Sequence, residues 1–164
     1  MNYVIRPIKK SEISLLEEFL YQAIFIPKGG KKPPREIIKL PELQIYVSEF
    51  GRKKDDIAFV AEVNGKLIGA VWTRIMKDFG YVDDFTPSLS ISVCNGYRNK
   101  GIGTKMMKVM LQHLKSKGYK QTSLSVQKSN YASKMYKKLG YEVIKENEED
   151  YVMIYNLQIE KEVM

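Results

Sequence analysis

A chain of 164 residues, 44% hydrophobic and 28% charged, has the proportions of one soluble globular domain, numbered here 1-164, able to bury roughly two-thirds of the surface its unfolded form exposes. No apolar run approaches the roughly 20 residues of a bilayer crossing, and Arg6, Lys9, Lys10, Glu12, Glu17 and Glu18 interrupt the apolar segment a secretory leader would need. One cysteine, Cys94, excludes an intrachain disulfide and a cysteine-rich zinc site, and one histidine, His113, leaves little for a metal, so a cytoplasmic setting is expected. The net charge of +8 attracts polyanions, which covers nucleic acid, acidic lipid and phosphorylated cofactors alike. Paired cations such as Lys31-Lys32, Lys53-Lys54 and Lys137-Lys138 are expected on solvated faces.

In chain order, Tyr3 to Arg6 reads as a first strand. Ser11 is placed to cap a helix whose apolar residues Ile13, Leu16, Phe19, Leu20 and Ala23 recur at three- and four-residue spacings. Pro27 to Pro41, with Gly29-Gly30 and Pro33-Pro34, resists regular structure until a short helix runs from Pro41 towards Gly51. Asn64-Gly65 then divides two β-branched runs, a hairpin signal because both turn residues need positive φ. Ser88 to Val93 alternates serines with Leu89, Ile91 and Val93, a strand that ends where a glycine-rich turn begins. A helix follows from near Ile102 to about Ser116, stopped by Gly118. The strand TSLSV, a short helix from Tyr131 to Leu139 ended by Gly140, and the strands YEVI and YVMIYNL complete a mixed α/β chain with six or seven strands.

The turn after Val93 has the chemistry of an anion site. The first amides of a helix starting near Ile102 lack intrahelical partners, and with the macrodipole they favour negative charge. Gly101 and Gly103 remove the Cβ atoms that would hold a phosphate away, while Arg98 and Lys100 add positive charge. Two known phosphate loops fail here. GxxxxGK[ST] would need Lys and Ser or Thr where Ile102 and Gly103 stand, and GxGxxG would need a small residue at Met106.

What remains is RxxGxG, Arg98 to Gly103, behind an alternating strand, and downstream NYASKMYKKLGYE. On these two motifs the chain resembles the GCN5-related N-acetyltransferase (GNAT) family, over nearly its whole length apart from Pro27 to Gly51. The resemblance implies a mixed, mostly antiparallel sheet of six to seven strands flanked by about four helices and splayed at its central strand. It also implies acetyl-coenzyme A as co-substrate. Backbone groups of Ile91 and Val93 would pair with the pantetheine arm, Arg98, Asn99, Lys100, Gly101, Ile102, Gly103 and Thr104 would wrap the pyrophosphate, and Asn130 would hydrogen-bond the pantetheine region. Tyr136 would point its hydroxyl at the thioester sulfur as catalytic acid, a role its reference pKa near 10 suits because the phenol stays protonated.

The acceptor implied is a small-molecule or peptide primary amine, acetylated by direct attack in a ternary complex, and a homodimer is compatible with the sequence. The base is left between Asp83, Asp84 and a water relay; where family members often carry a glutamate near the start of this strand, the chain reads Thr86-Pro87-Ser88. Cys94 reads as a packed thiol and His113 as a partly exposed residue without a role. Tyr21, Phe25, Trp72, Phe79 and Tyr81 are candidates to line an acceptor pocket, with Pro27 to Gly51 as its cover. Two other classes stay open: a coenzyme A binding regulator without catalysis, and a basic nucleic-acid binding module, the latter lacking an aromatic sheet motif or a recognition helix.

Overall fold

The computed structural model describes residues 2–158; Met1 and 159–164, the ends of the 1-164 span, lie outside them. Seven strands form one sheet: β1 (Val4–Pro7), β2 (Ile57–Val63), β3 (Lys66–Arg74), β4 (Ser88–Val93), β5 (Gln121–Gln127), β6 (Glu142–Glu146) and β7 (Asp150–Asn156). Their order is β1-β2-β3-β4-β5-β7-β6, antiparallel throughout except where β4 runs parallel to β5. The β2–β3 hairpin turns at Asn64 and Gly65, with φ of 49° and 80°, the geometry that asparagine and glycine tolerate.

Helices cover both faces. Helix α3 (Ile102–Ser116) lays Met106, Met107, Met110, Leu111 and Leu114 against Phe59, Ala61, Ile68 and Val71, while α1 (Leu16–Ala23) lays Leu16, Phe19 and Leu20 against Ala58, Val60, Ala70 and Trp72. Successive residues of β2 thus belong to opposite cores, as its period of two requires. The short α2 (Pro41–Gln44) borders the α1 face, and α4 (Ala132–Leu139) joins the α3 face through Tyr136 and Leu139. The expected sheet and helix count are therefore present.

Two boundaries differ from the expectation. Ser11 does not cap α1; the chain makes a 3₁₀ turn over Lys10–Leu15, started by Glu12 Oε1 accepting from the Lys9 N–H at 2.8 Å, and enters α1 from it. The helix from Pro41 ends after one turn instead of continuing towards Gly51. Carbonyls that would serve its ladder are taken by the sheet: Trp72 Nε1 donates to Tyr46 O at 3.1 Å and Arg74 Nη1 to Ile45 O at 2.9 Å. Arg74 also forks onto Asp56, whose side chain is 1% exposed, so this segment is clamped to β3 by a buried pair.

β4 and β5 share one registered pair, Ser88 with Ser123, and part beyond it. Their junction is held by pegs. Ser123 N and Thr122 Oγ1 donate to Pro87 O at 3.0 and 2.8 Å, and Ser123 Oγ donates to Gly80 O at 2.6 Å.

Candidate active site

Where β4 and β5 part, an open cleft of about 2130 Å³ runs past the end of β4, the start of α3, the end of β5 and α4 on one side, and past α1 and residues 24–46 on the other. A drug-sized ligand needs about 300–1,000 Å³, so the cleft has room for two substrates side by side.

The α3 wall is the turn singled out by the sequence. Gly101 stands at the N-cap of α3 with φ 81° and no atom within reach of a Cβ, so glycine is needed there for its backbone angle, and Asn99 shares the left-handed region at φ 62°. A Cβ on Gly103 would make only ordinary contacts, with Val93 Cγ2 at 3.8 Å and Ile91 Cδ1 and Met135 Sδ at 3.9 Å, so there is room for a methyl group there and little beyond it. The first turn of α3 holds no acidic residue, which leaves its amide end uncompensated. Ile102 is 1% exposed and anchors the turn in the core, so it offers the cleft its backbone.

Ile91, Val93, Arg98, Asn99, Gly101, Ile102, Gly103, Thr104, Asn130 and Tyr136 all line this cleft; Lys100 is exposed and does not. Cations the sequence reading left unassigned, Lys66 and Lys108, border it, as do Lys32 and Lys138 from pairs expected on solvated faces. Arg98 Nε donates to Val93 O at 2.9 Å, tying the turn to the end of β4. Asn130 Oδ1 accepts from Ala132 N at 2.9 Å and starts α4, so any contact it makes to a ligand falls to its amide nitrogen. Tyr136 packs against Tyr141 at 5.8 Å between ring centroids, and burial pushes its pKa up to about 12, which holds the phenol in its proton-bearing form.

The opposite wall departs further from expectation. Of the aromatic candidates, Tyr21, Phe25 and Phe79 border the cleft; Trp72 is wholly buried in the α1 core, and Tyr81 turns away to donate to Asp84 at 2.6 Å. Asp83 and Asp84, two of the candidates for the base beside a water relay, do not border the cleft. Asp83 Oδ1 accepts from Phe85 N at 2.8 Å and closes an exposed turn. Four carboxylate residues border the cleft: Glu18, tied to Arg35; Asp150, tied to Asn147; Glu149; and Asp78, which the sequence reading missed. Its signal was weak: a lone aspartate beside Phe79-Gly80, without a partner in sequence. Tyr21 donates to Pro33 O at 2.6 Å and Arg35 bridges to Glu18, so part of the 27–51 segment is held as a wall. Cys94 is half-buried and burial raises its pKa, which disfavours the thiolate and fits a packed thiol. His113 meets Phe59 edge to face at 5.2 Å, and burial lowers its pKa.

A sheet opened at one strand pair, with a glycine-bearing helix mouth at the opening and space for two substrates, suits a phosphate-bearing ligand bound beside a second molecule. The chain belongs to the acetyltransferase (GNAT) family, whose model matches residues 20–141. It is 32% identical over 126 residues to an N-alpha-acetyltransferase of Sulfurisphaera tokodaii, covering 67% of this chain and 75% of that protein. Its fold matches the PaiA N-acetyltransferase of Thermoplasma acidophilum, solved with coenzyme A, at a TM-score of 0.66 and 18% identity, over 95% of this chain and 99% of the other. The ribosomal-protein-S18-alanine N-acetyltransferase of Escherichia coli gives 0.68 at 16% identity over 99% of each chain. The chain is thus an acetyltransferase, and among the described residues no helix is long and apolar enough to cross a membrane.

Proposed function

We propose that the protein is a cytoplasmic acetyl-coenzyme A dependent N-acetyltransferase acting on the α-amino end of a peptide or protein, by direct attack within a ternary complex. The observation that carries this reading is the cleft at the parting of β4 and β5, with the unopposed amide end of α3 on one wall and room for a second substrate on the other. The α-amine reading is supported by the Sulfurisphaera relative.

Acetyl-coenzyme A supplies the activated acetyl group as a thioester. The residues present fit it: the amides from Gly101 to Thr104 with Arg98 and Asn99 receive the diphosphate, and Gly103 lets it approach. Lys100 contributes at most long-range charge. The backbone of Ile91 and Val93, at the edge β4 exposes as it leaves β5, pairs with the pantetheine amides, and the Asn130 amide nitrogen holds the same arm. Hydrogen bonds to a charged group contribute about 1.5–3 kcal/mol each, against about 0.3–1 kcal/mol for a charge near an exposed helix end, so the amides outweigh the dipole.

An α-amine with a reference pKa near 8 is uncharged in about one molecule in ten at pH 7, whereas a lysine amine is uncharged in roughly one in 2,500. The neutral nitrogen attacks the thioester carbonyl carbon, the C–N bond forms, and the C–S bond breaks with its electron pair on sulfur. Tyr136 gives that sulfur a proton and is restored by the proton leaving the new amide nitrogen. Calorimetry with acetyl-coenzyme A, then thiol release with peptides bearing free amino ends, tests the reading. Binding followed by peptide-dependent thiol is expected; no heat on adding acetyl-coenzyme A, or binding with no turnover on any amine, rejects it.

A further inference from the structure

The loop between β3 and β4 does more than connect them. Its residues Asp78 to Gly80 are wedged where β4 and β5 part, so tightly that a Cβ on Gly80 would meet Ser88 Oγ at 3.0 Å and the Leu124 carbonyl carbon and Ser125 nitrogen at 3.1 Å. The wedge is pegged by Ser123 Oγ, which donates to Gly80 O, and by Ser88 Oγ, which donates to Asp78 Oδ2 at 2.6 Å. One oxygen of the Asp78 carboxylate is therefore fixed. The other, Oδ1, is closed off from water and has no hydrogen-bond partner, although Asp78 borders the cleft.

A buried acceptor without a donor is destabilising, more so when it is charged. Among the described residues no ion pair reaches Asp78, although Lys28, Lys32, Arg35, Lys66 and Arg98 border the same cleft. A second orphaned acceptor, Gln22 Oε1 on α1, is also buried on this wall. The wall thus presents two buried oxygens without a hydrogen bond of ordinary geometry, Asp78 Oδ1 with the Tyr46 phenol close to its carboxylate, and a substrate rich in N–H donors would satisfy them.

We propose that Asp78 is a catalytic residue: its Oδ1 receives the acceptor as an ammonium cation and takes one proton from it before attack, while Gln22 Oε1 accepts from an amide N–H further along the peptide. This rests on the acetyltransfer reading and names the base which that reading lacks. The protons balance. The ammonium loses its first proton to Oδ1, the freed lone pair forms the C–N bond, and the second nitrogen proton replaces the one Tyr136 gives to sulfur. Asp78 then gives up its proton to water that enters the cleft as the acetylated product leaves. Burial raises the pKa of Asp78, which makes it a better match for this transfer than a solvated carboxylate would be. The titratable group facing it is the Tyr46 phenol, which burial and Asp78 together keep protonated; Ser88 from β4 adds a neutral donor.

The test compares wild type, Asp78→Asn and Asp84→Asn on synthetic peptides with free amino ends and acetyl-coenzyme A. Asp78→Asn is expected to lower kcat/KM about 100-fold at pH 7 with acetyl-coenzyme A affinity unchanged, and the deficit should shrink above pH 8, where the amine deprotonates unaided. Asp84→Asn should match wild type. Equal kcat/KM in Asp78→Asn, or a deficit of the same size at every pH, overturns the proposal while leaving the acetyltransfer reading intact. A wild type that binds acetyl-coenzyme A and acetylates none of the peptides overturns both. If Asp78→Asn also loses cofactor binding, its fold has failed and Ser88→Ala decides. That variant unpins Oδ2 but keeps the carboxylate, and should lower kcat/KM about tenfold with cofactor affinity retained; no change overturns the proposal.

Discussion

On one side of the cleft, the end of β4, a turn and the start of α3 bring Val93, Arg98, Gly101 and Gly103 together within one short run of chain. On the other, Gln22, Tyr46 and Asp78 reach the cleft from three separate segments that only the folded sheet brings to one wall. The first wall works mainly through backbone amides whose direction follows from local φ and ψ. The second works through side chains whose properties come from burial and long-range pegs. Function written into local backbone is visible in sequence; function written into packing is not.

Substitutions can break this contrast, starting with the largest effect. Gly103→Val should weaken acetyl-coenzyme A binding by about 10² to 10⁴, the loss of two hydrogen bonds to a charged group at about 1.5–3 kcal/mol each. Gly103→Ala should lose far less, because its Cβ meets only ordinary contacts at 3.8–3.9 Å. Calorimetry on both variants checks the pair; equal losses would mean that approach to the turn is not what glycine provides. On the packed wall, Arg74→Met strands the Asp56 carboxylate and releases Ile45 O, and should destabilise the fold by about 3–5 kcal/mol in urea unfolding.

Tyr136→Phe should reduce kcat by roughly 10² and leave cofactor affinity alone. Because burial lifts this phenol to about 12, wild-type kcat should show no fall from phenol ionisation as pH rises through 10, where an ordinary tyrosine is half ionised. Burial favours the neutral phenol, so its contribution to stability is full below about 10 and is lost as pH climbs towards 12, a loss that Tyr136→Phe should lack. The smallest effect belongs to Glu49, held at φ 53° beside the packed Phe50. Glu49→Gly relieves about 1–2 kcal/mol of left-handed strain and returns about 0.4–1 kcal/mol through a freer unfolded chain, so thermal unfolding should shift upward by the remainder.

The strands, the Asn64-Gly65 turn and α3 were legible because each follows from a period or a turn residue. The helix after Pro41 was misread because propensity could not show that Trp72 and Arg74 would take its carbonyls. Asp83 and Asp84 drew attention as an adjacent pair, yet adjacency in a polar turn keeps them in water. Asp78 drew none, because what distinguishes it comes from distant residues: Ser88 Oγ beneath one oxygen, the Tyr46 phenol nearby, and no well-formed hydrogen bond to the other oxygen. Lys100 was chosen for its place in a motif, and the turn leaves it outside the cleft.

The single pairing of Ser88 with Ser123 divides the sheet into a four-stranded and a three-stranded block joined by serine, threonine and proline pegs instead of a continuous ladder. Such a seam is where cooperativity is weakest, so amide hydrogen exchange should resolve two units, with β1 to β4 and β5 to β7 losing protection at different free energies. A ligand lying along the seam would fuse them, and exchange from both blocks would then slow together.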